Sequence, residues 1–460
     1  MPGGGLVSKT QHRTSMQQNA MVIPKEFVSK IKDVSAPCGR QPVFSPASTR
    51  MPIFQDNPLI EYKLGNSLGQ WYDYSRASIL VKLQLNVAPA TVFTYLRPCN
   101  LIANMIERFE LTDGNTEVED YKNYPEKYTL DYFLDIEKNA QAIQGHSFYG
   151  EGSQVERNSR HVTAGVAGGI YEYKLPLTSD PLSVSHAFPN FEPFAKSNDQ
   201  MMFKWYIANA SKWIETDAPA GSFSWTILQW EIHYELLDVD NIEKYVKLVQ
   251  DRASPAYGTL KFSWLYDDIQ IRPLDTTNTQ TILIDQKRSS IQGILVTVRK
   301  SADVNNALVN DKYETWFGPK HITAGPIPTF PLIDYQWRMD SKTWPERPIK
   351  TVGPHALESF VWFNRWLGHE TGNGHLKETH NIGGEQYAND KFVMLLDARV
   401  WPQLHSEVYN NINTLKTNTN LELHLNFGTS NPMPGLQLVI HTIHDKDWHF
   451  GFPGGGKTIW

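Results

Sequence analysis

The stretch that decides the fold is residues 222–238, SFSWTILQWEIHYELLD. Apolar and polar residues alternate along it, so an extended strand has one apolar and one polar face. The apolar face carries Leu228, Trp230, Ile232, Tyr234 and Leu236, and the polar face carries Gln229, Glu231, His233 and Glu235. This pattern is typical of antiparallel sheets that bury one face. The stretch is longer than a usual strand, so we expect a bulge or a bend.

The same alternation occurs elsewhere in the chain, first at Ile60, Tyr62 and Leu64. Further strand-like runs lie at residues 83–87, 170–177, 200–208, 259–271, 280–284, 291–299, 392–396, 421–427 and 436–443. Helical patterns at residues 121–136 and 355–367 are each followed by a long polar loop, at 137–168 and 368–390. The order of strands, helix, polar loop and strands therefore occurs twice, on either side of a short helical connector at 239–257.

Length and composition permit two large β-domains and exclude several classes of protein. The chain has 460 residues, 40% of them hydrophobic, and its 30 Gly and 28 Pro favour turns over long helices. The two cysteines, Cys38 and Cys99, exclude a disulfide scaffold and a cysteine-based zinc site. The residues after Met1 lack the pattern of a signal peptide, and no run of about 18 apolar residues predicts a membrane span.

One phosphate-binding motif occurs, but its context argues against nucleotide binding. Residues 451–458, GFPGGGKT, match the full G-x-x-x-x-G-K-[ST] pattern, with Lys457 as the phosphate ligand. A working loop of this type presents its backbone N–H groups at the start of a helix. Because only two residues follow Thr458 in this sequence, we predict a flexible tail and no nucleotide site.

The histidines do not predict a metal site. The densest cluster is His441, His444 and His449, but alternation on a strand sends His441 and His444 to opposite faces. A turn at residues 445–447 could still bring metal ligands together, but we expect an edge strand that runs into a loop. Three further histidines lie in a Gly- and Asn-rich loop and are expected to face solvent: His369, His375 and His380.

No constellation of residues predicts catalysis. The nucleophile motif Gly-x-Ser-x-Gly is absent from the sequence. Glu231 and Glu235 could mimic the carboxylate pair of a glycosidase, but the polar face of a solvated sheet explains them more simply. Asn209-Ala-Ser211 is a formal glycosylation acceptor that we expect to stay unmodified. The prediction is a non-enzymatic protein with no catalytic, cofactor-binding or metal-binding residues.

The order of elements resembles the hexon-type double jelly-roll major capsid proteins of icosahedral DNA viruses, the adenovirus hexon, tectivirus and virophage lineage. The resemblance is carried by residues 59–64, 71–85, 97–115, 121–134, 223–237, 391–397 and 420–427. It implies an all-β fold of two consecutive eight-stranded antiparallel jelly rolls with short helices, long loops and an N-terminal arm. The domains expected on this basis are an arm at 1–54, a first jelly roll at 55–238, a linker at 239–257, a second jelly roll at 258–445 and a tail at 446–460.

The resemblance also implies assembly. Three copies would form a pseudohexameric homotrimer that contacts neighbouring capsomers and minor capsid or penton proteins, in a virion made in the host cytoplasm or nucleus. Residues 1–50 carry seven basic and two acidic residues, a charge of +5, so the remaining 410 residues carry −11 within the total of −6. Such a basic arm, with an apolar helical face of Phe27, Val28, Ile31 and Val34, is expected to face the interior and meet the genome or an internal membrane.

Two alternatives predict different structures. A capsid protein with a single jelly roll and very long insertions would have one sandwich instead of two. A carbohydrate-binding or carbohydrate-cleaving β-sandwich would present exposed tryptophans in a groove, with two acids within reach of each other.

Overall fold

The computed structural model describes most of the chain. The described residues are 39–54, 59–63, 71–88, 91–99, 101–114, 116–135, 169–177, 201–219, 221–238, 260–310, 312–323, 326–340, 342–352, 358–366, 384–398, 412–415, 420–450 and 456–459. The expected arm helix, the linker at 239–257 and the histidine-bearing loop at 368–390, up to residue 383, lie outside them.

The first half forms two antiparallel sheets. Its strands are β1 (Gly39–Pro46), β2 (Ile53–Phe54), β3 (Leu59–Lys63), β4 (Trp71–Val87), β5 (Leu96–Pro98), β6 (Ile106–Asp113), β7 (Thr116–Tyr121), β8 (Gly169–Pro176), β9 (Met201–Ile207), β10 (Ile214–Thr216) and β11 (Phe223–Asp238). One sheet has the order β1-β11-β4-β8, with β2 beside β11, and the other has the order β3-β9-β6-β7. The short strands β5 and β10 pair with each other.

The second half repeats this plan. Its strands are β12 (Leu260–Pro273), β13 (Thr279–Ile284), β14 (Ile291–Lys300), β15 (Asp334–Met339), β16 (Lys342–Lys350), β17 (Met394–Asp397), β18 (Leu421–Asn426), β19 (Leu436–Phe450) and β20 (Gly456–Ile459). The sheets have the orders β12-β19-β14-β17 and β13-β18-β15-β16. Each half thus has eight main strands in these four-stranded orders. When they are numbered 1 to 8 along the chain within each half, strands 1, 8, 3 and 6 form one sheet in that order, and strands 2, 7, 4 and 5 form the other.

Five α-helices occur among the described residues. They are α1 (Tyr124–Asp135), α2 (Ala210–Trp213), α3 (Ser301–Val304), α4 (Glu358–Trp366) and α5 (Gly384–Asn389). Helix α1 follows β7 and helix α4 follows β16, so the two longer helices also hold corresponding places in the two halves. None of the described helices is long and apolar enough to cross a bilayer.

These sheets confirm the predicted double jelly roll, and they rule out the single-roll alternative. Strand β11 has the predicted irregularities, with register shifts against β4 between Ile227 and Gln229 and between His233 and Glu235. In each half, buried side chains pack between the two sheets, and they belong to one cluster that is continuous through both halves. In the first roll the rings of Trp205 on β9 and Trp230 on β11 lie 5.4 Å apart. In the second roll the indole of Trp337 on β15 donates to the carbonyl of Leu395 on β17 at 3.0 Å.

The first roll begins earlier than the sequence predicts. Strands β1 and β2 lie inside the segment expected to be an arm, and both pair with β11. Pro42 and Pro46 argue against a strand in the sequence, because each lacks the N–H that a sheet ladder requires. They are tolerated here because β1 is the edge strand of its sheet. Of the predicted arm, residues 39–46 and 53–54 are therefore part of the first jelly roll.

The second roll also extends further than the sequence predicts. Strand β19 continues to Phe450 with no turn at residues 445–447, and β20 pairs with its end inside the predicted flexible tail. The prediction of an edge strand that runs into a loop is wrong, because β19 lies between β12 and β14. Its polar residues have partners within the fold, as Asp445 shows by accepting from the side-chain amide of Gln292 at 2.6 Å. Polarity in this stretch therefore marks internal pairing and not solvent exposure.

Candidate functional site at the junction of the two jelly rolls

The two jelly rolls meet at a surface that we call the junction. The first roll contributes β7, α1 and α2, and the second roll contributes β12, the ends of β14 and β19, and residues 305–317. The feature that distinguishes the junction is buried charge. Among the described residues of the second roll four cations are buried, and all four are directed at the first roll: Arg299, Lys312, Lys391 and Lys446.

Arg299, at the end of β14, makes the most direct charged contact of the junction. Its guanidinium lies 2.5 Å from the carboxylate of Glu126, and both side chains are buried. Glu126 stands in the first turn of α1, where a negative charge is favoured by the helix dipole. The ring of Tyr313 lies against the same guanidinium at 5.3 Å. A polar cavity of about 290 Å³ opens beside this pair.

Lys446, on β19, brings a fully buried ammonium group to the acidic strand β7. Its Nζ lies 4.2 Å from the centre of the Tyr266 ring. Burial lowers the pKa of Lys446 to about 8, against the negative charges of Glu119, Glu117 and Asp120, which raise it. The same surroundings raise the pKa of Glu117, through burial first and the charge of Asp120 second. The charges of Lys446 and of the β7 carboxylates therefore shift one another's pKa values across the junction.

Two edge strands from different rolls face each other beside Lys446. The rings of Tyr121, at the end of β7, and Tyr266, on β12, stack 4.7 Å apart at an angle of 19°. The Tyr266 hydroxyl donates to the backbone carbonyl of Asp120. Burial raises the pKa of Tyr266, so the hydroxyl stays protonated and remains a donor.

The remaining two lysines contact helices of the first roll. The Lys391 ammonium lies 3.9 Å from the centre of the Phe133 ring on α1, a cation–π contact. Lys312 donates to the backbone carbonyl of Ser211 on α2 at 2.6 Å. A backbone hydrogen bond of 2.9 Å from the N–H of Thr216 to the carbonyl of Ala307 continues the contact. The second roll thus supplies the cations, and the first roll supplies the carboxylate of Glu126, the carbonyl of Ser211 and the ring of Phe133 as partners for three of them.

The motif at Lys457 lies in a different structural context from a phosphate-binding loop. Lys457 belongs to strand β20 and is in register with His449 of β19. A strand in this position does not present the row of helix N–H groups that cradles phosphate.

Two of the histidines that the sequence offered as candidate metal ligands have hydrogen-bond partners inside the fold. His441 is buried, and its Nδ1 lies 2.7 Å from the carboxylate of Asp267. His444 is also buried, with the Nε of Arg288 at 3.2 Å from its Nε2, and burial lowers the pKa of its imidazole. Among the described residues, no three His, Cys, Asp or Glu side chains are grouped as metal ligands. His369, His375 and His380 lie outside the described residues.

Neither sugar chemistry nor glycosylation has support in the described geometry. Glu231 is half-buried beside His233, at 3.8 Å, and the side chain of Glu235 lies outside the described part. Of the ten tryptophans whose side chains are described, eight are buried and two are half-buried, so none offers an exposed sugar platform. The side chain of Asn209 accepts from the backbone N–H of Ser211 at 3.2 Å and so caps α2.

The amino-acid sequence alone did not predict the junction. A signal was present, because Arg299, Lys446 and Glu119 interrupt strands at positions where a core residue is expected. Each of these charges alone is indistinguishable from a solvated residue. Only the packing of one roll on the other shows that they are buried together.

Comparison with known proteins shows which solved structures share this fold. No family model and no curated protein sequence matches the chain. Solved structures match along nearly its whole length. The Sputnik virophage structure has a TM-score of 0.58 at 10% identity, over 93% of this chain and 89% of that one. The Faustovirus major capsid protein has a TM-score of 0.55 at 10% identity, over 97% and 100%.

A third structure, PBCV-1 VP54 fitted into a reconstruction of Sputnik, has a TM-score of 0.56 at 10% identity over 92% and 97%. These similarities cover both halves of this chain. The resemblance predicted from the order of elements is therefore confirmed at the level of structure. The chain has the double jelly-roll fold found in the major capsid proteins of large DNA viruses and virophages.

Proposed function

We propose that this chain is the major capsid protein of an icosahedral DNA virus or virophage. The observation that carries the proposal is the match of 97% of this chain, with both rolls included, to all of a chain described as the Faustovirus major capsid protein. A shell subunit has to bury two sandwich cores and hold them in a fixed relation. The buried ion pair, the stacked tyrosines and the cation–π contact of the junction provide that relation.

The proposed working unit is a homotrimer. Two rolls of the same topology, fixed side by side, give each subunit two similar wedges, so three subunits supply six. A ring of six similar wedges can pack in a hexagonal shell. The second roll also offers exposed apolar side chains in the connection between β14 and β15 for contacts with other subunits, namely Leu308, Ile322 and Ile327.

The proposed role is structural and not catalytic. The polar groups that could have formed a site pair with one another inside the fold, as His441 does with Asp267. The proposal places the protein in the virion, after synthesis in the host cytoplasm or nucleus, with neighbouring capsomers and minor capsid or penton proteins as partners. The basic segment before Gly39 would face the genome or an internal membrane.

We retain the domain division as a proposal, with its boundaries moved to the observed strands. The arm would end before β1, the first jelly roll would run from Gly39 to Asp238, and the linker would stay at 239–257. The second jelly roll would run from Leu260 to Phe450, with β20 added to its sheet.

The test is the assembly state of the purified full-length chain. Sedimentation velocity at micromolar concentration and negative-stain microscopy should show trimers with a hexagonal outline, and shells under assembly conditions. A folded, stable monomer that never forms rings or shells would overturn the proposal. Binding of an oligosaccharide array by that monomer would support the carbohydrate alternative instead.

A further inference from the structure

His444 lies on β19, beside the stacked tyrosines of the junction. Its imidazole is buried and meets the ring of Tyr266 on β12 edge-on, at 5.6 Å. Tyr266 stacks on Tyr121 of β7, and its hydroxyl donates to the backbone carbonyl of Asp120. The imidazole of His444 therefore packs against the side chain through which β12 contacts the first roll.

Two hydrogen bonds define the protonation state of His444. The Nε of Arg288 lies 3.2 Å from its Nε2. A guanidinium has donors only and stays charged in proteins, so we assign Nε2 as the acceptor. The Nδ1 lies 3.0 Å from the backbone carbonyl of Asp445, which can only accept, so Nδ1 carries the proton. The folded chain thus uses the neutral imidazole, in one tautomer.

A second proton on His444 is incompatible with this arrangement. The protonated ring would carry an N–H at Nε2, so a donor would face the N–H of Arg288 and two positive charges would be in contact. Arg288 is held in place by the carboxylate of Asp268, which its guanidinium contacts. Because His444 is buried, water screens its charge poorly. Acid therefore pushes the imidazole away from Arg288, and Tyr266 loses the ring on which it packs.

The charged groups that face His444 come from several elements. Lys446 lies two residues further along β19, Asp268 lies on β12, and Arg288 lies between β13 and β14. Burial is the main cause that lowers the pKa of His444, and the charges of Arg288 and Lys446 lower it further, against the backbone carbonyl of Asp445 and the charge of Asp268, which raise it. The carboxylates of β7 that act on Lys446 are Glu119, Glu117 and Asp120. Asp267 and His441 pair with each other.

The other shifted groups beside His444 do not produce the same response to acid. Lys446 has a pKa of about 8, so its charge is constant in the acidic range. Burial raises the pKa of Glu117, so the folded chain binds this proton more readily than the unfolded chain, and acid favours the folded chain at this residue. For His444 the sign is the opposite, because the unfolded chain, with the ordinary value of 6.5, binds the proton first. The stability due to His444 is therefore present above pH 6.5 and is lost as the pH falls below that value.

We propose that His444 is an acid-sensitive switch of the junction. In its neutral form it accepts from Arg288 and supports Tyr266, and in its protonated form it leaves Arg288 and weakens the contact between β12 and β7. The inference concerns contacts within one chain, so it goes beyond the proposed function and does not depend on trimer formation. In a capsid made of this chain, every subunit would carry the same switch and would respond to an acidic compartment.

Hydrogen–deuterium exchange of the full-length protein tests the switch locally. Protection of the backbone amides of β7 and β12 is compared at pH 7.5 and pH 5.5, after correction for the intrinsic effect of pH on exchange. Protection in these strands should fall at pH 5.5, by up to about tenfold for each pH unit below 6.5, since one proton is taken up on opening. Strands β13 and β18, in the other sheet of the second roll, should keep their protection.

Two variants identify the group responsible. His444→Gln keeps an acceptor for Arg288 but cannot be protonated, so β7 and β12 should stay protected at pH 5.5. Arg288→Gln supplies an amide that can donate to a neutral imidazole or accept from a protonated one, so it should reduce the loss of protection. The matched control is His233→Gln. Burial lowers the pKa of His233 as well, but this residue lies on β11, in the sheet of the first roll that does not contain β7, so the control should behave as the wild type.

Three results would overturn the inference. They are equal protection of the wild-type junction at both pH values, an equal loss of protection in His444→Gln (or in Arg288→Gln, should His444→Gln not fold), and restored protection in His233→Gln. Each of them would leave the capsid proposal standing, because exchange at the junction is measured within one chain. Failure of the chain to form trimers or shells would overturn the proposed function, and the exchange data would still decide on the switch.

Discussion

At the scale of single residues, the junction depends on charges that are costly to leave unpaired. Arg299 and Glu126 are both buried, so removal of one leaves the other without compensation in a poorly solvated place. Arg347 and Glu358 form an ion pair of similar length, 3.1 Å, but the Arg347 side chain is 75% exposed. The two pairs share their chemistry and differ in burial, which makes them a matched comparison.

We predict that Arg299→Met lowers the free energy of unfolding by about 3–5 kcal/mol, the typical cost of breaking a buried ion pair. Arg299→Met with Glu126→Gln should recover most of that loss, because no charge is left buried. Arg347→Met should cost at most about 1 kcal/mol. Denaturant titrations at one protein concentration measure all three. Equal losses for Arg299→Met and Arg347→Met would contradict the prediction.

Lys446 predicts a dependence of stability on alkaline pH. Its pKa is about 8 in the folded chain and about 10.4 in an unfolded one, so between these values the unfolded chain binds more protons. Stability due to this residue should therefore rise as pH rises from 8 to 10.4, and it is lost as pH falls back through that window. Lys446→Met removes the effect. The stability of the wild type relative to Lys446→Met should increase from pH 7.5 to 9.5, and a constant difference would show that the ammonium is not desolvated.

At the scale of elements, β1 separates a structural strand from the basic segment before it. It pairs with β11 along eight residues and places Val43 against the core of the first roll. A segment with this role is needed for stability, whereas the residues before Gly39 are proposed to act only in assembly.

Two deletions test this separation. Removal of residues 2–35 should leave the thermal midpoint of the trimer unchanged and impair closure of the shell. Removal of residues 2–47 also removes β1, uncovers the edge of β11, and should lower the midpoint and increase hydrogen exchange in β11. Equal midpoints for the two truncated proteins would show that β1 is dispensable, and normal shells from the shorter deletion would remove the assembly role of the arm.

At the scale of the whole molecule, the doubled fold could be predicted from the sequence, because alternation in strands such as β11 is a local property. Strand β1 could not, because Pro42 and Pro46 argue against a strand in the sequence. The extension of β19 could not, because the partners of its polar residues, such as Asp267 for His441, lie far away in the chain. Burial of Lys446 and Arg299 depends on how one roll packs on the other, and no local pattern contains that information.

The one-way distribution of charge at the junction has a consequence for synthesis. The first roll leaves the ribosome before the second and can fold as a unit. Until the second roll arrives, its face with Glu117, Glu119 and Glu126 is acidic and has none of the cations that later cover it. On a polysome crowded with nascent copies, we expect the like charges of these faces to disfavour contact between two unfinished first rolls. The acidic face of the first roll therefore remains free to bind the cations of the second roll, which is synthesised later in the same chain.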